Sequence, residues 1–228
     1  MKIKDNIAAE FDDFSRNYTK DMIGLVPFYL KLLESFGTLI PENFQPKKIL
    51  DLGCGNGNVT NQLVKLYPDS EYTLLDASEQ MIDLCEKRFP NNKIEFVNSY
   101  FAEYDFPESN FDWVVAGFSI HHCKRDEKSE LIKNIGKTLR AGGLFSCSDL
   151  MIETSSSDHD LLLQKWKAFV LETYPDGIKW NWLMEHYNEF DFPHSTSQHE
   201  VWLMEAGFVK VNWNVFENHW SYFAARKG

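Results

Sequence analysis

The chain has 228 residues, 43% hydrophobic and 25% charged, which suffices to bury a sizeable core and suits one large domain, or one domain with a cap. Its net charge of −11 is spread along the chain with no basic stripe, so nucleic acid is not an expected partner. The four cysteines (Cys54, Cys85, Cys123, Cys147) form no Cys-x-x-Cys, no apolar run follows the N-terminus, and no stretch of about 18 apolar residues exists; disulfide framework, zinc or other metal site, signal peptide and membrane span are therefore not expected, and a cytoplasmic protein is.

Residues 5–20 are polar, with Ile7, Phe11, Phe14 and Tyr18 at roughly helical spacing. Residues 21–37 carry Met22, Leu25, Phe28/Tyr29, Leu32/Leu33 and Phe36 in an i, i+3/i+4 stripe closed by Gly37. Two helices therefore precede the first strand. After Pro46 an apolar run, Ile49-Leu50-Asp51-Leu52, breaks into glycines at 53, 55 and 57, and helical periodicity starts near Val59. Strand, tight turn and helix make the first unit of an α/β nucleotide-binding sheet. Glycine tolerates positive φ and lets a ligand lie against the backbone. A dinucleotide loop reads Gly-x-Gly-x-x-Gly, and here the third glycine comes one residue early. Asp51, a strand-end acid, needs compensation if buried, and a ligand ammonium, direct or through water, supplies it. A ligand with an amino acid end, a nucleoside end and no pyrophosphate fits better than a dinucleotide.

Asp51-Leu52-Gly53-Cys54-Gly55-Asn56-Gly57 resembles the first motif of the class I S-adenosylmethionine (SAM) dependent methyltransferases. The resemblance covers roughly residues 45–150, with a weaker match at the C-terminus. It implies an α/β fold: a Rossmann-like seven-stranded, mostly parallel sheet with helices on both faces and an antiparallel last strand, preceded by N-terminal helices. It also implies SAM as cofactor, S-adenosylhomocysteine as product, and a glycine loop passing under the methionine part of SAM. The cofactor-binding set it implies is Tyr18, Asp51, Gly53, Cys54, Gly55, Asn58, Asp76, Ala77, Met81, Ser99, Tyr100, Phe101 and Gly117. In the family the leader folds over the cofactor, an aromatic near Tyr18 closing the site; alternatively Phe11, Phe14 and Tyr18 only pack the leader onto the core.

A helix runs from about Val59 to Tyr67 and stops at Pro68. The second strand, Tyr72 to Leu75, ends at Asp76, 19 residues beyond Gly57. An acid about 20 residues on is placed to accept both hydroxyls of a ribose. It is also placed as an N-terminal acid for the next helix, which Ala77-Ser78-Glu79 opens with Ser78 as N-cap. Met81 resembles the apolar residue laid against the adenine. The helix over 79–89 ends before Pro90, and Lys93 to Val97 is the third strand. The family has an acid just past this strand for the adenine amino group. This chain has Asn98-Ser99-Tyr100-Phe101, with Tyr100 in that place, so Asn98, Ser99 or the Tyr100 hydroxyl substitutes as acceptor.

Phe111 to Ala116 is a continuous apolar run of the kind found in buried parallel strands. It leads into Gly117-Phe118-Ser119-Ile120-His121-His122, beyond the carboxyl end of a strand, where open α/β sheets bind ligands. An amphipathic helix over 126–139 carries Leu131, Ile132, Ile135 and Leu139. The turn Leu139-Arg140-Ala141-Gly142-Gly143 leads into the strand Leu144 to Ser148, and Asp149 follows on the ligand side. Residues 151–193 break the alternation: a helix over 159–174, a turn at Pro175-Asp176-Gly177 and a short helix over Lys179 to Tyr187. This reads as a small helical cap, and six of the seven tryptophans lie beyond residue 150. A last helix over 195–206, capped by Ser197 and ended by Gly207, precedes two alternating strands, 208–213 and 220–225, that complete the sheet. The organisation is thus a lid (1–44), a SAM-binding core (45–150), a cap (151–193) and a closing helix with two strands (194–228).

Methyl transfer from a sulfonium is an in-line displacement, so orientation supplies much of the rate. A base is needed only where the acceptor atom must lose a proton. His121 and His122 sit in the loop for that role, and His122 is preferred because its counterpart in resembling sequences more often faces the pocket. The pair is equally suited to hydrogen-bonding the cofactor backbone. Phe118, Asp149, Trp166 and Trp182 are the candidate acceptor-binding residues; the cap tryptophans either line a pocket for a flat or cationic molecule or form core. The expected activity is methyl transfer to an oxygen or nitrogen of a small molecule. Other SAM chemistry on this fold is signalled by an altered glycine loop or an extra arginine near it, and a non-catalytic binder by loss of Asp51, the glycines or Asp76. Neither signal is present.

Overall fold

The computed structural model describes residues 7–11, 17–90 and 93–228. Phe14, assigned above to the leader, lies outside them. Residues 7–11 are helical, and α1 (Tyr18–Leu25) and α2 (Tyr29–Ser35) follow. The unbroken helix expected over 21–37 is interrupted because Pro27 has no amide to donate and forces Val26 before it into extended backbone. Phe28 then turns with φ of 62°. The stripe survives the break: Met22, Leu25, Leu32, Leu33 and Phe36 are all buried.

Five parallel strands are joined through helices, except that β3 runs into β4 without one: β1 (Lys48–Leu52), α3 (Asn58–Leu66), β2 (Glu71–Asp76), α4 (Glu79–Arg88), β3 (Ile94–Asn98), β4 (Phe111–Gly117), α5 (Arg125–Thr138) and β5 (Leu139–Leu150). Two cap helices, α6 (Asp158–Thr173) and α7 (Ile178–Phe190), come next, followed by α8 (Thr196–Glu205), β6 (Phe208–Phe216) and β7 (Trp220–Lys227). The seven-stranded sheet has the order β3-β2-β1-β4-β5-β7-β6, and β7 alone runs antiparallel to its neighbours. Strand residues alternate between two buried clusters, with Ile49, Leu74 and Val115 on one face and Leu50, Leu75 and Val114 on the other. Helices cover both faces, which is why the central strands read as continuous apolar runs.

Two local assignments change. The segment 139–143, read as a turn, belongs to β5 as a bulge: Phe111 pairs with Leu139, whereas Trp113 pairs with Leu144. The last helix is capped by Ser195 rather than Ser197, its hydroxyl accepting from the Gln198 amide. No helix among the described residues is long and apolar enough to cross a membrane. The strand order reverses between β1 and β4, the place where open α/β sheets bind ligands outside the carboxyl ends of their strands.

Candidate active site

The loop leaving β1 is held from three directions. Gly53 and Cys54 donate backbone hydrogen bonds to the Leu75 carbonyl, and the Ser119 hydroxyl donates to the Leu52 carbonyl at 2.6 Å. The Gly55 amide donates to Asp76 Oδ2 at 2.8 Å. Gly53 has φ of +67°, and a Cβ there would lie 2.4 Å from that of Ser119; Gly57 has φ of +80°, and a Cβ there would lie 2.5 Å from the Phe89 ring. Glycine is required at both on conformation and on space.

A cavity of about 440 Å³ opens beside this loop. Of the residues the sequence singled out for the cofactor, Tyr18, Gly53, Gly55, Asp76, Ala77, Met81, Ser99, Tyr100 and Phe101 line it. Asp51, Cys54, Asn58 and Gly117 are not among the residues that line it. Asn58 ties the leader to the loop, donating to Thr19 Oγ1 and the Tyr29 hydroxyl and accepting from Arg88. Asp51 is 1% exposed; Thr60 donates to its Oδ2 at 2.6 Å, while Oδ1 has no partner among the described residues. Burial pushes its carboxyl up to about 7, against the opposing Thr60 bond. A buried carboxylate oxygen without a donor, a glycine cradle and an acid at the end of β2 together suit a ligand carrying an ammonium group and a ribose, and SAM has both. Burial raises the Tyr18 hydroxyl well above its ordinary value, so the ring meets the cavity as a neutral phenol.

A second, smaller chamber of about 70 Å³ adjoins the first. Phe11, Tyr18, Phe118 and His122 line both. Phe118 holds its place with φ of 56°, its amide donating to the Ser148 carbonyl. All four residues expected at the acceptor, Phe118, Asp149, Trp166 and Trp182, line this chamber. Trp166 also donates from Nε1 to the Leu25 carbonyl, and Trp182 donates to Glu10 and stacks on His186. Asp149 is turned towards the protein, accepting from the His121 and Leu150 amides and meeting His121 Nδ1 at 2.5 Å.

The two histidines differ in setting. Burial pulls His121 down, but Asp149 and Asp191 outweigh it and hold the imidazole above its ordinary value. Burial, aided by His121, keeps His122 below its ordinary value. His122 Nδ1 lies 3.1 Å from Asp191 Oδ1, and its Nε2 is buried without a partner among the described residues. Asp191, His186 and Glu10 escaped the sequence reading. They come from the end of α7, from α7 itself and from the leader, and only tertiary folding brings them to β4. Lys128, on the inward face of α5, is 1% exposed; it donates to the Phe192 carbonyl at 2.8 Å and lies 3.2 Å from His194 Nδ1.

Comparison with known proteins agrees with this geometry. A family model described as a methyltransferase domain matches residues 49–143. The carboxy-S-adenosyl-L-methionine synthase of Campylobacter fetus is 25% identical over 221 residues, 94% of this chain and 92% of that protein. The demethylmenaquinone methyltransferase of Lysinibacillus sphaericus is 26% identical over 223 residues, 93% of this chain and 91% of that protein. Among solved structures, an S-adenosylmethionine dependent methyltransferase from Mesorhizobium loti shares the fold, with a TM-score of 0.64 at 17% identity over 86% of this chain and 98% of that one. The glycine loop, Asp76 at the end of β2 and the seven-stranded sheet agree with the family match: residues 49–143 carry a methyltransferase domain, and the chain as a whole is similar to class I SAM-dependent methyltransferases.

Proposed function

We propose that the protein transfers a methyl group from SAM to an oxygen or nitrogen of a small-molecule acceptor, which reaches into the chamber that adjoins the cofactor cavity while His122 takes up the proton the acceptor loses. The observation that carries this reading is the position of His122. Its ring belongs to both cavities, Asp191 faces one ring nitrogen, and the other has no partner among the described residues. An imidazole whose Nδ1 proton is directed to the Phe190 carbonyl, 3.3 Å away, presents a lone pair at Nε2, the arrangement a proton acceptor needs. SAM, when bound, supplies the electrophilic methyl.

The chain's residues have three further tasks. Asp76 accepts from the ribose, the β1 loop leaves room for the methionine part, and Phe11, Tyr18 and Phe118 keep water from the reacting atoms. The acceptor is read as a small molecule because its chamber is small, about 70 Å³, with walls that include Trp166, Trp182 and Trp220. The Lysinibacillus relative is named for methyl transfer, which supports the reading. The Campylobacter relative is named for a different SAM chemistry, so the arginines near the loop matter. Arg88 donates to the Asn56 carbonyl and Asn58 Oδ1 and is not among the residues lining the cofactor cavity. This favours methyl transfer.

The test is labelled-methyl incorporation from SAM over a panel of phenols and amines, repeated with His122→Ala on whichever acceptor responds. Turnover should fall by about 10²-fold or more while SAM affinity stays within a few-fold. Equal losses in both, or none in either, would overturn the assignment.

A further inference from the structure

We infer that His121, His122 and Asp191 form a site for one divalent transition-metal ion. His122 Nδ1 lies 3.1 Å and His121 Nε2 lies 3.5 Å from the same oxygen, Asp191 Oδ1, and each of the three residues offers a ligand atom within 4.8 Å of the other two. An ion held at about 2.0–2.1 Å by nitrogen and oxygen ligands in a tetrahedron keeps those ligands roughly 3.3–3.4 Å apart. The two measured edges bracket that value. Asp191 Oδ1 is buried and has no hydrogen-bond partner among the described residues.

The surroundings add what a metal-binding histidine needs. His121 turns its other nitrogen, Nδ1, to Asp149 at 2.5 Å, and Asp149 is 1% exposed and also accepts the His121 amide. A carboxylate behind the ring fixes the tautomer that leaves Nε2 as a lone pair and strengthens it as a ligand. The Phe192 amide donates to the His121 carbonyl at 2.8 Å, so the segment carrying Asp191 is pinned to the histidine turn before any ion arrives. Two imidazoles and one carboxylate suit zinc, cobalt, nickel or iron and do not suit magnesium or calcium. The chain shows no metal-ligand spacing because Asp191 is 69 residues from His122.

The ion needs the Nδ1 lone pair of His122, so it and the Nδ1 proton compete for one place. The loaded protein therefore cannot offer Nε2 as a proton acceptor; this consequence rests on the reading of His122 given above, whereas binding itself does not. The experiment strips the full chain with a chelator and titrates it with cobalt(II), following visible absorption and hyperfine-shifted proton NMR signals. One equivalent should bind with a four-coordinate type spectrum and ring signals from two histidines. Zinc should displace it stoichiometrically, and millimolar magnesium should not. Asp191→Asn and His121→Ala should abolish the signal, and Asp149→Asn should weaken binding by about 10–100-fold. Calorimetric binding of SAM to each variant serves as the check that it is folded.

Absence of one-equivalent binding, sulfur-to-cobalt charge transfer, or binding that survives both Asp191→Asn and His121→Ala would overturn the site. If the variants do not fold, the histidine count in the unaltered protein decides. Methyl incorporation by the metal-free protein measures the earlier reading separately, so either idea can fail alone.

Discussion

The amide of Gly55 donates to Oδ2 of Asp76 across 2.8 Å, and Asp76 Oδ1 accepts from the Ser78 amide at 2.9 Å. One carboxylate thus fastens the loop after β1 to the start of α4, and on the proposed reading it also accepts from the ribose of SAM. Asp76→Ala removes both functions. Charge-assisted hydrogen bonds contribute about 1.5–3 kcal/mol each, so SAM affinity should fall by about 100-fold or more. Calorimetric titration with SAM and S-adenosylhomocysteine measures it, and NAD should not bind the unaltered protein at comparable concentration.

Asp51 sets a pH dependence. Its carboxyl is held up at about 7 in the folded chain against an ordinary 3.8. The folded state therefore binds more protons than the unfolded chain between those values, and stability falls as pH rises through that window. For a fully buried group the loss is of order 4 kcal/mol at most, complete only above the folded value. Melting temperatures from pH 5 to 8 without ligand should decline, and Asp51→Asn should flatten the slope. A ligand ammonium favours the ionised form, so SAM affinity should rise over the same range.

The glycine loop makes a steric prediction. Alanine at position 53 must adopt φ near +67° with its Cβ 2.4 Å from that of Ser119. The left-handed conformation costs about 1–2 kcal/mol and the overlap roughly 1–3 more. Gly53→Ala should lower the denaturation midpoint and weaken SAM binding, whereas Gly142→Ala, whose nearest neighbour is the flexible Arg226 side chain at 3.7 Å, should leave SAM binding unchanged.

Asp21 joins the leader to the cap. It is 7% exposed and accepts from the Tyr174 hydroxyl at 3.0 Å and from Lys179 Nζ at 2.7 Å. Asp21→Ala should cost roughly 1–3 kcal/mol by urea denaturation, since two donors lose their acceptor. Limited proteolysis should then cut within α6 and α7 before it cuts within the sheet.

Chemistry that depends on neighbours in sequence was legible. The glycine spacing, Asp51 and the acid at position 76 all belong to one βαβ unit, and the apolar runs give the central strands their places. The histidine turn was legible because it follows β4 directly. Asp191 was not, because an acid before Phe192-Pro193 carries no periodic signal and meets His122 only through the packing of the cap. Lys128 was hidden for a related reason: a charge in an amphipathic helix reads as solvent-facing, and only the carbonyl of Phe192 makes its burial tolerable. The bulge in β5 looked like a turn because Gly142-Gly143 punctuates both equally well.

One partition bounds two chambers: Phe11, Tyr18, Phe118 and His122 each line both, and on the proposed reading they separate SAM from the acceptor. Any coupling between ligands in the two chambers would run through those rings. Thermodynamic linkage makes that coupling reciprocal: the factor by which SAM tightens an acceptor equals the factor by which the acceptor tightens SAM. The size and sign of that coupling are then set by these four side chains, which both ligands would share.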